Sequence, residues 1–85
     1  MKILISDSAL GDLEAIKEYY LDEGVHHIGE KYVSEIVKHI KTIPDNPDIS
    51  RVVPEFNVSK LCELIHGPFR VVYLQEGKSI HVVRI

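Results

Sequence analysis

The fold is decided by the C-terminal stretch KLCELIHGPFRVVYLQEGKSIHVVRI, residues 60–85. It contains three runs of aliphatic, β-branched and aromatic residues, which favour strands. Gly67-Pro68 and Glu76-Gly77 separate the runs and are typical turn residues. We therefore predict a meander of three antiparallel strands. The predicted strands are residues 60–65, 69–74 and 79–85.

In the N-terminal half, the apolar residues recur with a different period. Residues 2–6 contain a short apolar run that indicates a strand. Asp7 or Ser8 is then expected to cap a helix, because short polar side chains satisfy the exposed N–H groups of a first turn. The apolar residues of this helix recur at spacings of four, three and four, which places them on one face. These residues are Ala9, Leu13, Ile16 and Tyr20. Gly24 is the expected stop.

A second helix is predicted over residues 27–43, where isoleucines, valines and a tyrosine form an apolar stripe. Pro44 ends it, and residues 44–54 have the composition of a loop. The short connection between the two helices implies an antiparallel hairpin. The element order is thus β-α-α-β-β-β. The expected class is α+β, an antiparallel sheet with the first strand added and the N-terminal helical hairpin packed on one face.

Length and composition indicate one domain, residues 1–85. The chain is 45% hydrophobic and 27% charged, which is ordinary for a globular protein. No apolar run approaches the roughly 20 residues of a membrane span. The single cysteine, Cys62, cannot form an internal disulfide and is most simply a small strand residue. We therefore expect a cytoplasmic protein that does not enter membranes.

The charge is unevenly distributed. The formal net charge is −3, which argues against a protein held to nucleic acid by bulk electrostatics. The first 30 residues hold seven Asp and Glu against two Lys, whereas residues 31–85 hold eight Lys and Arg against six Asp and Glu. The C-terminal half is therefore the expected side for a partner.

Histidines are the first candidates for a metal site. His26 and His27 are adjacent and do not share a helix face, and His39 lies twelve residues beyond His27. No cysteine or carboxylate pattern completes a tetrahedral set. Glycine-rich phosphate loops are also lacking in the sequence. We expect neither a metal nor a cofactor.

Arg70 interrupts an apolar strand. If Val71 and Tyr73 face the core, alternation turns Arg70 and Val72 away from it. Glu63 on the neighbouring strand is the natural partner, since a buried charge without one is costly. The alternative is that Arg70 belongs to a surface that meets a target.

The chain resembles the ParE/RelE toxin superfamily of type II toxin–antitoxin systems, and is nearer ParE. The resemblance rests on element order, length and several runs of residues. The first helix carries Ala9, Asp12-Leu13, Ile16 and Tyr19-Tyr20 in the family's pattern. The later runs are Arg51-Val52-Val53-Pro54-Glu55, Glu63-Leu64, Phe69-Arg70-Val71-Val72-Tyr73 and Ile80-His81-Val82-Val83-Arg84-Ile85.

The sequence departs from the pattern of the superfamily at two places. Cys62 occupies the place of the family's arginine before Glu-Leu. The sequence ends at Ile85, whereas relatives usually continue into a short basic tail, which in the nucleases often carries a tyrosine. Both departures bear on activity rather than on fold.

The resemblance implies a toxin that binds and poisons DNA gyrase. It also implies a cognate antitoxin, ParD-like or RelB-like or another peptide that folds on binding, in a hetero-oligomer with the toxin. The residues expected to meet target or antitoxin are Arg51, Glu55, Arg70 and Arg84.

The alternative from the same superfamily is a RelE-like, ribosome-dependent endoribonuclease that cuts messenger RNA. Such an enzyme needs a base, a charge stabiliser and an acid. The residue types that fit are His66, Arg70, Tyr73, His81 and Arg84. A third hypothesis is an inactive or shortened member that only binds its antitoxin.

Overall fold

The computed structural model describes residues 2–46, 51–52 and 61–85. Strand β1 is Lys2–Ile5, helix α1 is Asp7–Asp22 and helix α2 is His26–Lys41. A single 3₁₀ turn, Ile43–Asp45, follows α2. The remaining strands are β2 (Arg51–Val52), β3 (Leu61–His66), β4 (Phe69–Glu76) and β5 (Ser79–Arg84).

The five strands form one sheet in the order β1-β5-β4-β3-β2. The predicted meander is confirmed, with β3, β4 and β5 antiparallel. The predicted class and order of the main elements are also confirmed. Two details differ from expectation. β1 joins the meander parallel to β5, so the sheet is mixed, and β2 lies in the segment that we predicted as loop.

The parallel pairing of β1 follows from the helical hairpin. Two antiparallel helices return the chain to its starting end, and the meander then finishes beside β1 in the same direction. The two-residue β2 pairs with β3 through Arg51 opposite Glu63. So short a strand has too few residues for an alternating pattern to show in the sequence.

Both helices pack on one face of the sheet. The buried core includes Ala9 and Leu13 from α1 and Ile36 and Ile40 from α2. Their partners from the sheet are Leu64, Val71, Tyr73, Ile80 and Val82. No helix of the described residues packs on the opposite face, which we call the helix-free face. It carries the alternate residues of β1, β3, β4 and β5. The predicted direction of Val71 and Tyr73 toward the core, with Arg70 away from it, is confirmed.

Ser6, rather than Asp7 or Ser8, caps α1. Its Oγ accepts a hydrogen bond from the Ala9 N–H at 3.0 Å and donates one to the Val83 carbonyl at 3.0 Å. A single hydroxyl therefore serves both the helix and the last strand. The second bond depends on tertiary structure and cannot be inferred from local sequence.

Two tight turns hold the meander. Gly67 and Gly77 have φ values of 56° and 55°, in the left-handed region where glycine is favoured over residues with a side chain. Each glycine opens a two-residue connection between antiparallel strands. The turn at Gly67 brings Phe69 back opposite His66, beside the helices.

Candidate binding site

An apolar hollow lies where α1 meets the beginning of β4 and the end of β5. We call it the aromatic groove. Its volume is about 400 Å³, within the range of small-ligand pockets. The lining residues are Asp12, Ala15, Ile16, Tyr19, Tyr20, Pro68, Phe69 and Ile85. Most of the lining is apolar, with polar groups from Asp12 and the tyrosines.

A chain of ring contacts builds one wall of the aromatic groove. Tyr19 and Tyr20 meet edge to face with their centroids 5.0 Å apart, and Tyr20 lies 5.6 Å from Tyr32 of α2. Tyr32 in turn contacts Phe69 of β4 at 5.1 Å. Such pairs add to the effect of area burial alone. Tyr19 remains 57% exposed, so an aromatic face is available at the rim.

The hydroxyl of Tyr20 stays protonated at neutral pH. Desolvation raises the pKa of Tyr20 above its usual value, with further contributions from Tyr32 and Tyr19. Its phenol can therefore donate a hydrogen bond to an incoming group. Gly29 of α2 allows the helices to approach here, because an added Cβ would lie 3.0 Å from the Cβ of Tyr20.

Asp12 and Arg84 form a clamp at the edge of the aromatic groove. The Arg84 Nε and Nη2 donate to the two carboxylate oxygens of Asp12 at 2.8 and 2.9 Å. The backbone N–H of Ile85 donates to the same carboxylate at 2.9 Å. The Ile85 N–H, and then the Arg84 guanidinium, hold the pKa of Asp12 below its usual value. The clamp fixes the end of β5 against α1.

Arg70 lies on the helix-free face, and the predicted cross-strand pair is present. Its Nη1 is 3.2 Å from Oε2 of Glu63. The two side chains differ sharply in exposure, with Arg70 57% exposed and Glu63 only 2%. Arg70 thus has a structural role, and more than half of its side chain remains exposed.

Of the other residues considered for RNA cleavage, His81 shares a sheet face with Arg70, whereas Tyr73, Arg84 and His66 do not. Tyr73 is fully buried in the core, and Arg84 is held by Asp12 beside α1. His66 points toward α2, where its Nδ1 lies 3.0 Å from Nδ1 of His39. His81 is opposite Leu74, which places it on the helix-free face but distant along β4 from Arg70.

Two of the predicted partner-binding residues, Arg51 and Glu55, have side chains that the structure does not describe. The backbone of Arg51 lies in β2, and nothing is described of its side chain. Glu55 lies outside the described residues. Both remain predictions.

Three further features bear on other classes of function: the Cys62 thiol, possible metal ligands and the length of the helices. Burial raises the pKa of the Cys62 thiol, which favours the inert protonated form over a nucleophilic thiolate. Within residues 2–46 and 61–85, no three His, Cys, Asp or Glu side chains are grouped to hold a metal ion. The described helices are too short or too polar to cross a bilayer.

Comparison with known proteins decides the family. Residues 3–85 match the family model described as the ParE toxin of the type II toxin-antitoxin system, parDE. This chain belongs to the ParE toxin family. A solved structure described as the chromosomal ParDE TA system from P. aeruginosa is similar in fold, with a TM-score of 0.81 and 25% identity. That match covers 100% of this chain and 92% of the other. No curated protein sequence matches significantly.

Sequence reasoning missed several residues that contact the predicted candidate residues. Asp12 was noted only as part of the family's helix-one pattern, although it holds Arg84. Glu35 was not singled out, although its Oε2 lies 3.6 Å from Nε2 of His66. The one signal for the aromatic groove was the Tyr19-Tyr20 pair, whose second ring faces the core while the first projects beyond the helical stripe.

Proposed function

We propose that this ParE-family toxin arrests growth by binding and poisoning DNA gyrase in the cytoplasm, and that a cognate antitoxin neutralises it. The observation that carries the proposal is the match to the ParE family model across residues 3–85. A type II toxin acts through a macromolecular target and is kept inactive by a protein partner. Both interactions require surface that the free toxin exposes.

Two surfaces have the properties that such partners need. The aromatic groove offers an apolar hollow with an exposed tyrosine at its rim. The helix-free face offers Arg70, whose side chain is more than half exposed although it pairs with Glu63. Arginine and tyrosine are the side chains most enriched at energetic centres of interfaces. We assign the aromatic groove to the antitoxin and the Arg70 face to the target.

The antitoxin segment is expected to fold as it binds. A disordered segment gains affinity by laying an apolar stripe into a groove, which compensates the entropy lost on ordering. The aromatic groove is largely pre-formed by the ring contacts from Tyr19 to Phe69. The toxin therefore loses little conformational entropy when the antitoxin binds. The resulting complex is expected to be a hetero-oligomer of toxin and antitoxin.

Binding, rather than RNA cleavage, is favoured by the separation of the residues that a nuclease would need. Tyr73 lies in the core, and His66, Arg84 and Arg70 each face a different partner group. General acid–base catalysis requires its groups within hydrogen-bond reach of one reacting centre. The RelE-like nuclease is therefore the alternative that the following experiment distinguishes from gyrase poisoning.

The test follows DNA synthesis and protein synthesis after the toxin is induced in bacteria that lack the antitoxin. Incorporation of labelled thymidine and of labelled methionine is measured from the first minutes. Gyrase poisoning predicts that DNA synthesis falls first, and purified gyrase should then accumulate cleaved DNA when the toxin is added. Earlier loss of protein synthesis would replace the proposal with the ribosome-dependent nuclease.

A third outcome identifies a member that only binds its antitoxin. In that case neither synthesis changes, although the folded chain accumulates and is captured by the antitoxin. Co-expression of the antitoxin is the matched control, because it should restore thymidine incorporation without changing the amount of toxin.

A further inference from the structure

A pair of histidines joins α2 to β3 away from the aromatic groove. His39 and His66 approach through their Nδ1 atoms at 3.0 Å, with ring centroids 5.1 Å apart. His66 is 20% exposed and His39 is half-buried, so water reaches only part of the contact. The distance is that of a hydrogen bond, and such a bond needs one N–H and one lone pair.

The charged groups around this pair accommodate one added proton. Glu35 of α2 lies 3.6 Å from Nε2 of His66, on the far side of that ring from His39. An imidazolium at His66 would donate its Nδ1–H to His39 and present its Nε2–H to Glu35. His39 lies in the last turn of α2, where the helix dipole also favours a positive charge.

A second proton would remove the hydrogen bond between the two rings. With both rings as imidazolium, each Nδ1 carries a hydrogen and neither has a lone pair to accept. Two like charges would then lie in contact, a few ångströms apart and partly shielded from water. Of the neighbouring charged groups, Lys38 is exposed beside His39, and Glu63 pairs with Arg70 on the opposite sheet face. Phe69, opposite His66 on β4, carries no charge.

We propose that His39 and His66 form a proton-sensitive contact between α2 and β3. The contact holds while the pair carries at most one added proton, and it opens when both rings are protonated. Ile36 and Ile40 of α2 remain buried in the core, so opening loosens the end of α2 without unfolding the domain. The proposal concerns the toxin domain itself and does not depend on the identity of its target.

The sign of the pH effect follows from proton binding. The unfolded chain accepts protons on both histidines, whereas the folded chain resists the second. Stability therefore falls as pH decreases through the range in which the second ring of the pair is protonated, because in that range the unfolded state binds more protons than the folded state.

The test uses His39→Asn, because the asparagine amide occupies the position of Nδ1. The amide can donate to a neutral His66 or accept from a protonated one, so the contact survives in both states. His27→Asn is the matched control, since it makes the same substitution at an exposed position of α2. Melting temperature is measured for all three proteins between about pH 7.5 and about pH 5.

The wild type and His27→Asn should lose more melting temperature on acidification than His39→Asn, by at least about 4 °C. Equal losses in all three proteins would overturn the proposal. An NMR titration of the imidazole rings of the wild type provides a check that needs no variant. His39 and His66 should take up protons in two separate steps, and single, coincident steps would overturn the proposal.

Zinc chloride provides the last arm of the test. If zinc raises the melting temperature of the wild type but not of His39→Asn, the pair is a metal chelate rather than a proton-sensitive contact, and the proposal fails. No effect of zinc on either protein supports it.

Discussion

Arg84 holds Asp12 through two parallel hydrogen bonds of 2.8 and 2.9 Å across 72 positions of sequence. The pair joins the first helix to the last strand at the rim of the aromatic groove. Because the Ile85 N–H adds a third hydrogen bond to the same carboxylate, Asp12 organises the whole C-terminal end of the sheet. One acidic residue therefore connects the stability of the fold with the shape of the candidate antitoxin site.

Asp12→Ala should lower the free energy of unfolding by roughly 1–2 kcal/mol. The change removes three charge-assisted hydrogen bonds, but Arg84 is 66% exposed, so water compensates part of the loss. Glu14→Ala is the control, because Glu14 is an exposed acidic residue of the same helix. Urea unfolding measures both. If the two variants are equally stable, the clamp contributes nothing beyond an ordinary surface charge.

The contribution of Asp12 should also depend on pH. Its pKa is lowered in the folded state from a usual value of 3.8, so its stabilisation is present above that value and is lost as pH falls through the folded pKa. The difference in melting temperature between the wild type and Asp12→Asn should thus be constant near neutrality and shrink as acid protonates Asp12 in the folded state. A difference that persists in acid would contradict this account.

Arg70→Ala should reduce toxicity in growth assays, because Arg70 lies on the face assigned to the target. A loss of about 1.4 kcal/mol in target affinity corresponds to a tenfold change in binding. Arg70→Lys distinguishes charge from geometry, since lysine keeps the charge near Glu63 but lacks the planar fork. Circular dichroism must show that the variants fold. If Arg70→Ala folds and remains as toxic as the parent, Arg70 does not belong to the target surface.

Gly29→Ala should destabilise the helical hairpin, whereas Gly11→Ala should stabilise it. A Cβ at Gly29 would lie 3.0 Å from the Cβ of Tyr20 and 3.2 Å from the Cα of Lys17. Such crowding costs about 1–3 kcal/mol, against a gain in helix propensity of at most about 1. At Gly11 an added Cβ meets nothing within 4 Å, so only the gain remains. Thermal unfolding should shift in opposite directions for the two variants.

Tyr19→Ser should weaken antitoxin binding and lower stability by no more than the loss of one edge-to-face contact with Tyr20. Tyr19 is 57% exposed at the rim of the aromatic groove, so its ring contributes more to a partner than to the core. Leu10→Ser is the control, because Leu10 is 47% exposed on the same helix but does not line the groove. Calorimetric titration with the antitoxin compares them. An equal loss of affinity in both variants would move the antitoxin away from the groove.

Local sequence was sufficient for the two helices and the main strands, for the family and for one side-chain pair, but not for the short strand β2. The two helices and the three-stranded meander follow from periods of 3.6 and 2, which report the burial of alternate faces. The same alternation placed Arg70 away from the core and within reach of Glu63 on the adjacent strand. These inferences succeed because each depends on residues that are close in sequence or joined by a tight turn.

Tertiary structure decided the contacts that span the whole chain. The hydrogen bonds of Asp12 with Arg84, the approach of His39 to His66 and the parallel addition of β1 join elements that are distant in sequence. Hydrophobic periodicity states which face of an element is buried, but not which other element covers it. That choice is made when the hairpin and the sheet bury their apolar faces together, and polar partners are then set by which side chains meet at the edges of the shared core.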